Sequence, residues 1–260
     1  MLLGLKSPLR YQNNNTKMLH TILKLLPRDV ATIVCPFFRG DGLEVGLASR
    51  GLRIQGYSTF LHLCEFWKCV IEDAEAVHGV ANNFYPLDED IFYLMQNKLA
   101  GEEEDLFIRA GLFFVINRCT ENGTVTHGKL QPGHPKFNEY SLQLLKNFRS
   151  NNIAVSHCQS YERVIDESDE FILCCPPRYS PIRSLSAATS PHSEPSSIDH
   201  LCLRDALSKK NNWILFLNYH KDLVTMYEGY STAFFDKHFR KTDSSPEFAL
   251  IVNGVRNAQI

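Results

Sequence analysis

A buried strand, a glycine-bearing turn, a helix and a second strand are predicted, in that order, near the start of this chain. The apolar run at 31–35 predicts the first strand, 36–42 the turn, and 43–49 a helix that ends before Gly51. Residues 53–57 predict the second strand. Strands that alternate with helices are typical of a parallel sheet with helices packed on its faces. We therefore expect an α/β protein that opens as a Rossmann-like fold.

The periodicity changes after residue 60 and changes back near residue 150. Helical spacing without an intervening strand signal is present at 61–75, 88–99 and 102–116, after an earlier helix at 18–26. Strands are then predicted at 153–158, 170–175, 213–217 and 248–253, with a helix at 201–209. The stretch 180–197 is rich in Ser, Pro and Ala, which predicts a mobile loop. We predict one domain of residues 1–60 and 148–260, with a helical insertion at 61–147.

The charge balance and the cysteine pattern argue against several classes of protein. The formal net charge is −2, whereas proteins that hold nucleic acid over a broad face usually have a basic excess. None of the eight cysteines has C-x-x-C spacing and the ten histidines lack ligand spacing, so no metal site is predicted. We interpret the cysteines as free thiols in a reducing compartment. No run approaches 18 apolar residues, so no membrane span is expected, and the predicted location is cytoplasmic.

Several stretches, in one order along the chain, are each similar to a segment of the same enzyme family. They are SPLRY at 7–11 (family P-L-R-Y-P-G-G-K), PFFRGDG at 36–42 (P-F-x-G-x-G), FW at 66–67 (F-W), RAGLFFVINR at 109–118 (R-A-A-x-F-F-x-x-N-R) and FILCCPPRY at 171–179 (D-P-P-Y). The stretches 213–218 and 247–253 match the closing strands of the family. Each match alone is weak, but together their order and spacing cover about 6–253. The chain resembles the Dam-type adenine-specific DNA methyltransferases, a family common in bacteria, phages and large DNA viruses.

The resemblance implies a Rossmann-like methyltransferase sheet with a helical target-recognition insertion. Its members transfer a methyl group from S-adenosylmethionine to the amino group of an adenine flipped out of DNA. The implied cofactor positions are Tyr11, Asn15, Cys35, Phe38, Gly40, Gly42 and Ser58. The implied catalytic motif is Cys175, Pro176, Pro177, Arg178 and Tyr179, and the implied DNA contacts are Arg118, Lys129 and Lys136. A viral particle is a second possible location.

This chain departs from the family pattern at the polar positions of both sites. The two acidic cofactor positions are Cys35 and Ser58, and residues 12–15 replace P-G-G-K without its lysine. Cys175 replaces the catalytic Asp, and a thiol is a weak hydrogen-bond acceptor. Arg178 stands at the Tyr position. A hydrogen bond to a charged group contributes about 1.5–3 kcal/mol, so losing three would weaken cofactor binding by roughly 4–9 kcal/mol.

These departures predict a catalytically inactive protein that binds no cofactor and acts as a structural or interaction subunit of a larger assembly. Two alternatives stay open. The retained Pro176-Pro177, Gly40 and Gly42 are compatible with an active enzyme that binds S-adenosylmethionine, with Arg178 or a displaced Tyr179 stacking on the base. The third hypothesis is a DNA-binding protein without catalysis, which the acidic charge balance disfavours.

Overall fold

The structure is a computed structural model, and it describes residues 5–11, 15–101, 105–179 and 198–255. The predicted loop at 180–197 lies outside the described residues, as do residues 12–14 of the opening loop and the acidic residues 102–104. Within the described ranges, no helix is long and apolar enough to cross a membrane.

A seven-stranded mixed sheet forms the centre of the molecule. Its strands are β1 (Thr32–Cys35), β2 (Arg53–Ser58), β3 (Ile153–His157), β4 (Phe171–Cys174), β5 (Trp213–Asn218), β6 (Ser231–Phe235) and β7 (Phe248–Asn253). The spatial order is β3-β2-β1-β4-β5-β7-β6, in which β1 to β5 are parallel and β7 is antiparallel to both β5 and β6. The strand order reverses between β1 and β4, and doubly wound sheets have their ligand crevice at the carboxyl ends of such strands.

Helices cover both faces of this sheet. The described α-helices are α1 (Leu19–Leu25), α2 (Gly42–Ala48), α3 (Leu61–Asn82), α4 (Phe92–Ala100), α5 (Leu106–Cys119), α6 (Glu139–Lys146), α7 (Tyr161–Glu167), α8 (His200–Ser208) and α9 (Lys221–Met226). Short 3-10 turns at Asn15–Met18 and Glu89–Ile91 precede α1 and α4. The alternation of strands and helices confirms the prediction of an α/β fold.

Burial explains why the central strands are continuous apolar runs. All four residues of β1 and all four of β4 are buried, because helices cover both faces of the sheet there. The strand β2 alternates instead, with Ile54 and Gly56 buried and Arg53 and Gln55 exposed. Because both faces of β1 and β4 are buried, packing holds these two strands in place where the crevice opens.

The helices between β2 and β3 share a hydrophobic core with one face of the sheet. The helix α3 contacts β2 and β3 and packs on α5 and α6, and Trp67 and Phe113 belong to the same buried cluster as Ile33 and Ile54. A second buried cluster, with Trp213 at its centre, occupies the other face. The division into a domain of 1–60 and 148–260 and an insertion of 61–147 stays a prediction.

Candidate functional site

A cavity of about 530 Å³ lies at the carboxyl ends of β1, β2 and β4. Its walls are formed by residues that directly follow these strands (36–39, 58–60, Cys175 and Pro177), by 159–162 after β3, and by residues of α5 and its following loop. Cavities of roughly 300–1,000 Å³ are the size of small-molecule sites. The cavity therefore lies at the edge of the sheet where a ligand is expected in this kind of fold.

The structure brings only some of the predicted cofactor residues to this cavity. Tyr11, Phe38 and Ser58 line it. The others lie beneath or beside its wall: Cys35 is 1% exposed, Asn15 is buried in the first 3-10 turn, Gly40 packs under Trp67, and Gly42 is the first residue of α2. The glycines of the loop therefore serve the turn and its packing.

The amide groups of the loop at 36–42 point to a side chain of the same chain. The buried Glu44 carboxylate accepts hydrogen bonds from the backbone N–H groups of Arg39, Gly40 and Asp41, at 3.2, 2.5 and 3.0 Å. Successive backbone N–H groups in a turn make a concave site for an anion. Glu44 occupies that site here, so these amides have no hydrogen bond to give to a ligand.

The pKa of Glu44 is raised to about 8, mainly by burial and then by the nearby charge of Asp41, against the opposing effect of Arg39 and the backbone amides. Unfolded glutamate loses its proton near pH 4.5, so between pH 5 and 7 the folded state binds more protons than the unfolded state. The contribution of Glu44 to stability is therefore complete below pH 4.5 and is lost as pH rises toward 8.

The substitution Glu44→Gln tests this pH dependence of the unfolding free energy. The unfolding free energy of the wild type minus that of Glu44→Gln is expected to fall by roughly 1 kcal/mol per pH unit from pH 5 to pH 7. Urea unfolding of both proteins at pH 5, 6 and 7 measures it. A difference that stays nearly constant from pH 5 to pH 7 would instead mean that Glu44 is ionised throughout this range.

Arg39 brings a positive charge to the cavity, which the sequence reasoning missed. Its guanidinium carbon lies 5.2 Å from the centre of the Tyr11 ring, and its Nη2 lies 3.4 Å from an Asp41 carboxylate oxygen. The backbone oxygen of Arg39 accepts hydrogen bonds from the Tyr11 hydroxyl at 2.5 Å and from the Trp67 indole N–H at 3.3 Å. The available signal was an arginine inside the loop PFFRGDG, at a place where the family pattern P-F-x-G-x-G requires no cation.

The degenerate catalytic motif divides into a buried part and a displaced part. The Cys175 side chain is buried, and desolvation, with smaller contributions from the charges of Asp41 and Glu44, holds its thiol pKa well above the usual value. The thiol is therefore protonated at neutral pH. Pro177 lines the cavity, Pro176 is half-buried and Arg178 is exposed.

Tyr179 is held away from the cavity by the opposite core cluster. Its ring packs edge-on against His200 and His220, with centroids 5.3 and 4.9 Å apart, and its backbone N–H donates to the Asn218 side chain at 2.9 Å. Tyr179 is not among the residues that line the cavity. The arrangement in which Tyr179 stacks on a base in the cavity therefore requires these contacts to break.

Asn117, from the N-R pair of the resemblance, ties the amino-terminal segment to the cavity wall. Its Oδ1 accepts from the Arg10 backbone N–H at 2.8 Å, and its Nδ2 donates to the carbonyl oxygens of Arg10 and Gly123 at 3.1 and 2.7 Å. A Cβ on Gly123 would lie 2.1 Å from that Arg10 oxygen. Asn117 thus places Tyr11, the next residue, at the cavity.

The residues predicted to contact DNA have different environments. Arg118 is partly buried, with its guanidinium carbon 5.7 Å from the centre of the Phe114 ring. Lys129 and Lys136 are exposed in the segment that follows α5, as is Glu121. No distance places the two lysines in one site with Arg118.

Residues after β3 form a part of the cavity that the sequence reasoning also missed. Ser160 caps α7, and its hydroxyl hydrogen-bonds the Glu162 carboxylate. Gln159, Ser160, Tyr161 and Glu162 all line the cavity. Their position directly after a predicted parallel strand was the available signal. Among the residues the structure describes, no group of three or more His, Cys, Asp or Glu side chains could hold a metal ion.

S-adenosylmethionine has two cationic groups, the sulfonium and the ammonium, and one anionic carboxylate, and the cavity fits the two cationic groups poorly. Cys35 and Ser58 stand at the acidic positions, and both are uncharged. The Asp41 carboxylate caps α2 and pairs with Arg39, while Glu44 is bound to the loop amides. Arg39 adds a charge of the same sign as these two groups at the cavity wall, and the Glu162 carboxylate adds an opposite charge after β3.

The family models include none that matches this chain, and a search of curated proteins finds no relative of it.

Proposed function

We propose that this chain is a catalytically inactive member of the methyltransferase-like α/β proteins and acts as a structural or interaction subunit. The observation that carries the proposal is the state of the catalytic motif. The thiol of Cys175 is buried and protonated, and Tyr179 packs against His200 and His220. A weak acceptor and an absent stacking ring leave an adenine amino group without activation.

The cofactor side of the cavity supports the same conclusion. The amides of the glycine loop are bound to Glu44, and Arg39 stands beside them as a cation. The bound amides offer no hydrogen bond to the carboxylate of S-adenosylmethionine, and Arg39 adds a charge of the same sign as its sulfonium and ammonium groups. The buried core that these changes leave intact is what a scaffold needs, because an interaction subunit must still fold.

One observation favours the alternative of an active enzyme. The cavity of about 530 Å³ remains at the carboxyl ends of the strands, and Pro177 lines it. Glu162 is a carboxylate at the wall, where it could accept hydrogen bonds from ribose hydroxyls. A titration therefore has to separate the two functions.

Titration of the full-length protein with S-adenosylmethionine is expected to give no saturable binding below about 1 mM, as the loss of several kcal/mol of charged contacts requires. Isothermal calorimetry measures this. S-adenosylhomocysteine, which lacks the sulfonium charge, is the matched control for shape. Incubation with duplex DNA and methyl-labelled cofactor is expected to transfer no label.

Micromolar binding of S-adenosylmethionine, or label in adenine, would contradict the proposal and assign the chain to working methyltransferases.

The interaction role is tested separately, by the size at which the protein elutes. Recovered from its producing cells, the protein is expected to elute as a complex larger than the monomer. The same elution is expected for Cys175→Ser, because that substitution changes only the degenerate motif.

A further inference from the structure

A second feature lies outside the cavity, at the carboxyl end of α5, and is independent of the proposed function. The Arg118 side chain is partly buried, and its Nε has no hydrogen-bond acceptor among the residues the structure describes. The Phe114 ring lies 5.7 Å from the guanidinium carbon. A ring face stabilises a cation but provides no oxygen for the N–H groups at the guanidinium edge.

The charged group that most affects Arg118 is a second arginine. The pKa of Arg118 is lowered to about 10, mainly by burial and then by the charge of Arg10. Arg10 donates through Nη1 to the Thr120 carbonyl oxygen and to Gln131 Oε1, the latter at 3.2 Å. These bonds use one of its three guanidinium nitrogens. Arg10 is therefore tied to the end of α5 on both sides of Arg118 in the chain, since its backbone N–H donates to Asn117 Oδ1 at 2.8 Å and its side chain donates to Thr120.

The surroundings of this pair add charge of the same sign. Lys6 Nζ donates to the Tyr140 hydroxyl at 3.1 Å, and Tyr140 is the other titratable group that acts on Arg118. The nearby carboxylate is Glu121, which acts on Arg10 and is exposed. Buried charges in proteins are normally paired, and an unpaired one is unfavourable. Among the residues the structure describes, Glu121 is the carboxylate whose charge reaches this pair, and it acts on Arg10 rather than on Arg118.

We propose that Arg10 and Arg118 form a binding site for the phosphate group of a small molecule, with Lys6 and Tyr140 at its edge. Guanidinium groups bind phosphate oxygens through paired N–H donors, and arginine is preferred where this geometry is needed. A small ligand is favoured over nucleic acid because the chain has a net charge of −2 and Glu121 stands beside the pair.

Thermal unfolding in inorganic phosphate tests the site, with chloride at the same ionic strength as reference. A phosphate concentration of about ten times Kd is expected to raise the wild-type Tm by about 3 °C. Arg118→Met is expected to lose this shift. In chloride alone Arg118→Met is expected to melt at the same temperature as the wild type or higher, because an unpaired charge has been removed.

Two variants serve as controls. Lys129→Met removes an exposed cation from the same segment and is expected to keep the full phosphate shift. Arg118→Lys keeps the charge without the paired donors and is expected to lose at least half of the shift, which tests the site even where Arg118→Met fails to fold.

An equal phosphate shift in the wild type and Arg118→Met, or no shift in either, would overturn the proposal. A titration with a short DNA duplex separates the sources of phosphate. If the duplex binds, inorganic phosphate does not stabilise, and Arg118→Met reduces the salt dependence by about one ion, the occupant is nucleic acid and the small-molecule proposal is wrong.

Discussion

Substitution of Gly40 by alanine is expected to lower the free energy of unfolding by about 2–5 kcal/mol. Gly40 has φ +69°, a left-handed conformation that disfavours a side chain by roughly 1–2 kcal/mol. A Cβ there would lie 2.1 Å from the ring of Trp67, which is fully buried. Overpacking of this kind adds about 1–3 kcal/mol. Urea unfolding of the wild type and the variant measures the sum.

Gly133→Ala is the matched control for the backbone contribution. Gly133 has φ +65°, and no heavy atom lies within 4 Å of a Cβ built on it. Its substitution is expected to lower stability by about 1–2 kcal/mol, from the backbone alone. Equal losses at Gly40 and Gly133 would contradict the packing role of Gly40. A larger loss at Gly40 would explain its presence without any cofactor.

Most of the sheet could be predicted from sequence because its strands are buried on both faces. The strands β1, β4, β5 and β7 are short apolar runs with breakers at their ends, and each predicted boundary lies within about one residue of the observed one. The edge strand β6 was not predicted. Only Ala233 and Phe235 of its five residues are buried, so its apolar pattern is weak.

Three helices were also missed, and they share a physical cause. The helices α6, α7 and α9 have eight, seven and six residues, too few for a clear periodicity. Their starts are set by capping side chains of Asn138, Ser160 and His220. A cap without a long periodic run after it was not sufficient to predict a helix.

The sequence identified many residues of the candidate site but not the direction in which each side chain points. Cys175, Ser58 and Tyr11 were expected together, and they line one cavity. The Tyr179 ring packs against His200, which lies 21 positions later in the chain. A local sequence pattern cannot predict such a contact. The hydrogen bonds of Glu44 to its own loop are local instead, because Asp41 and Glu44 form a capping box at the start of α2, and their D-x-x-E spacing was the available signal.

Restoring the acidic residue of the catalytic motif is expected to destabilise the protein rather than activate it. The Cys175 side chain is 7% exposed, and the charges of Asp41 and Glu44 act on it. In Cys175→Asp a carboxylate would be desolvated beside groups of like charge, with Arg39 offsetting part of the effect. We expect its unfolding free energy at pH 8 to be about 2–4 kcal/mol below that of Cys175→Asn.

Cys175→Asn is the control because it has the same shape without the charge. The difference between the two variants is expected to narrow toward pH 5, since the new carboxyl group, its pKa raised by burial, then takes up a proton. Neither variant is expected to methylate adenine, because Tyr179 stays packed against His200 and His220. Equal stability of the two variants would mean that the cavity still accepts the catalytic carboxylate, and methyl transfer by Cys175→Asp would mean that one substitution separates this chain from an enzyme.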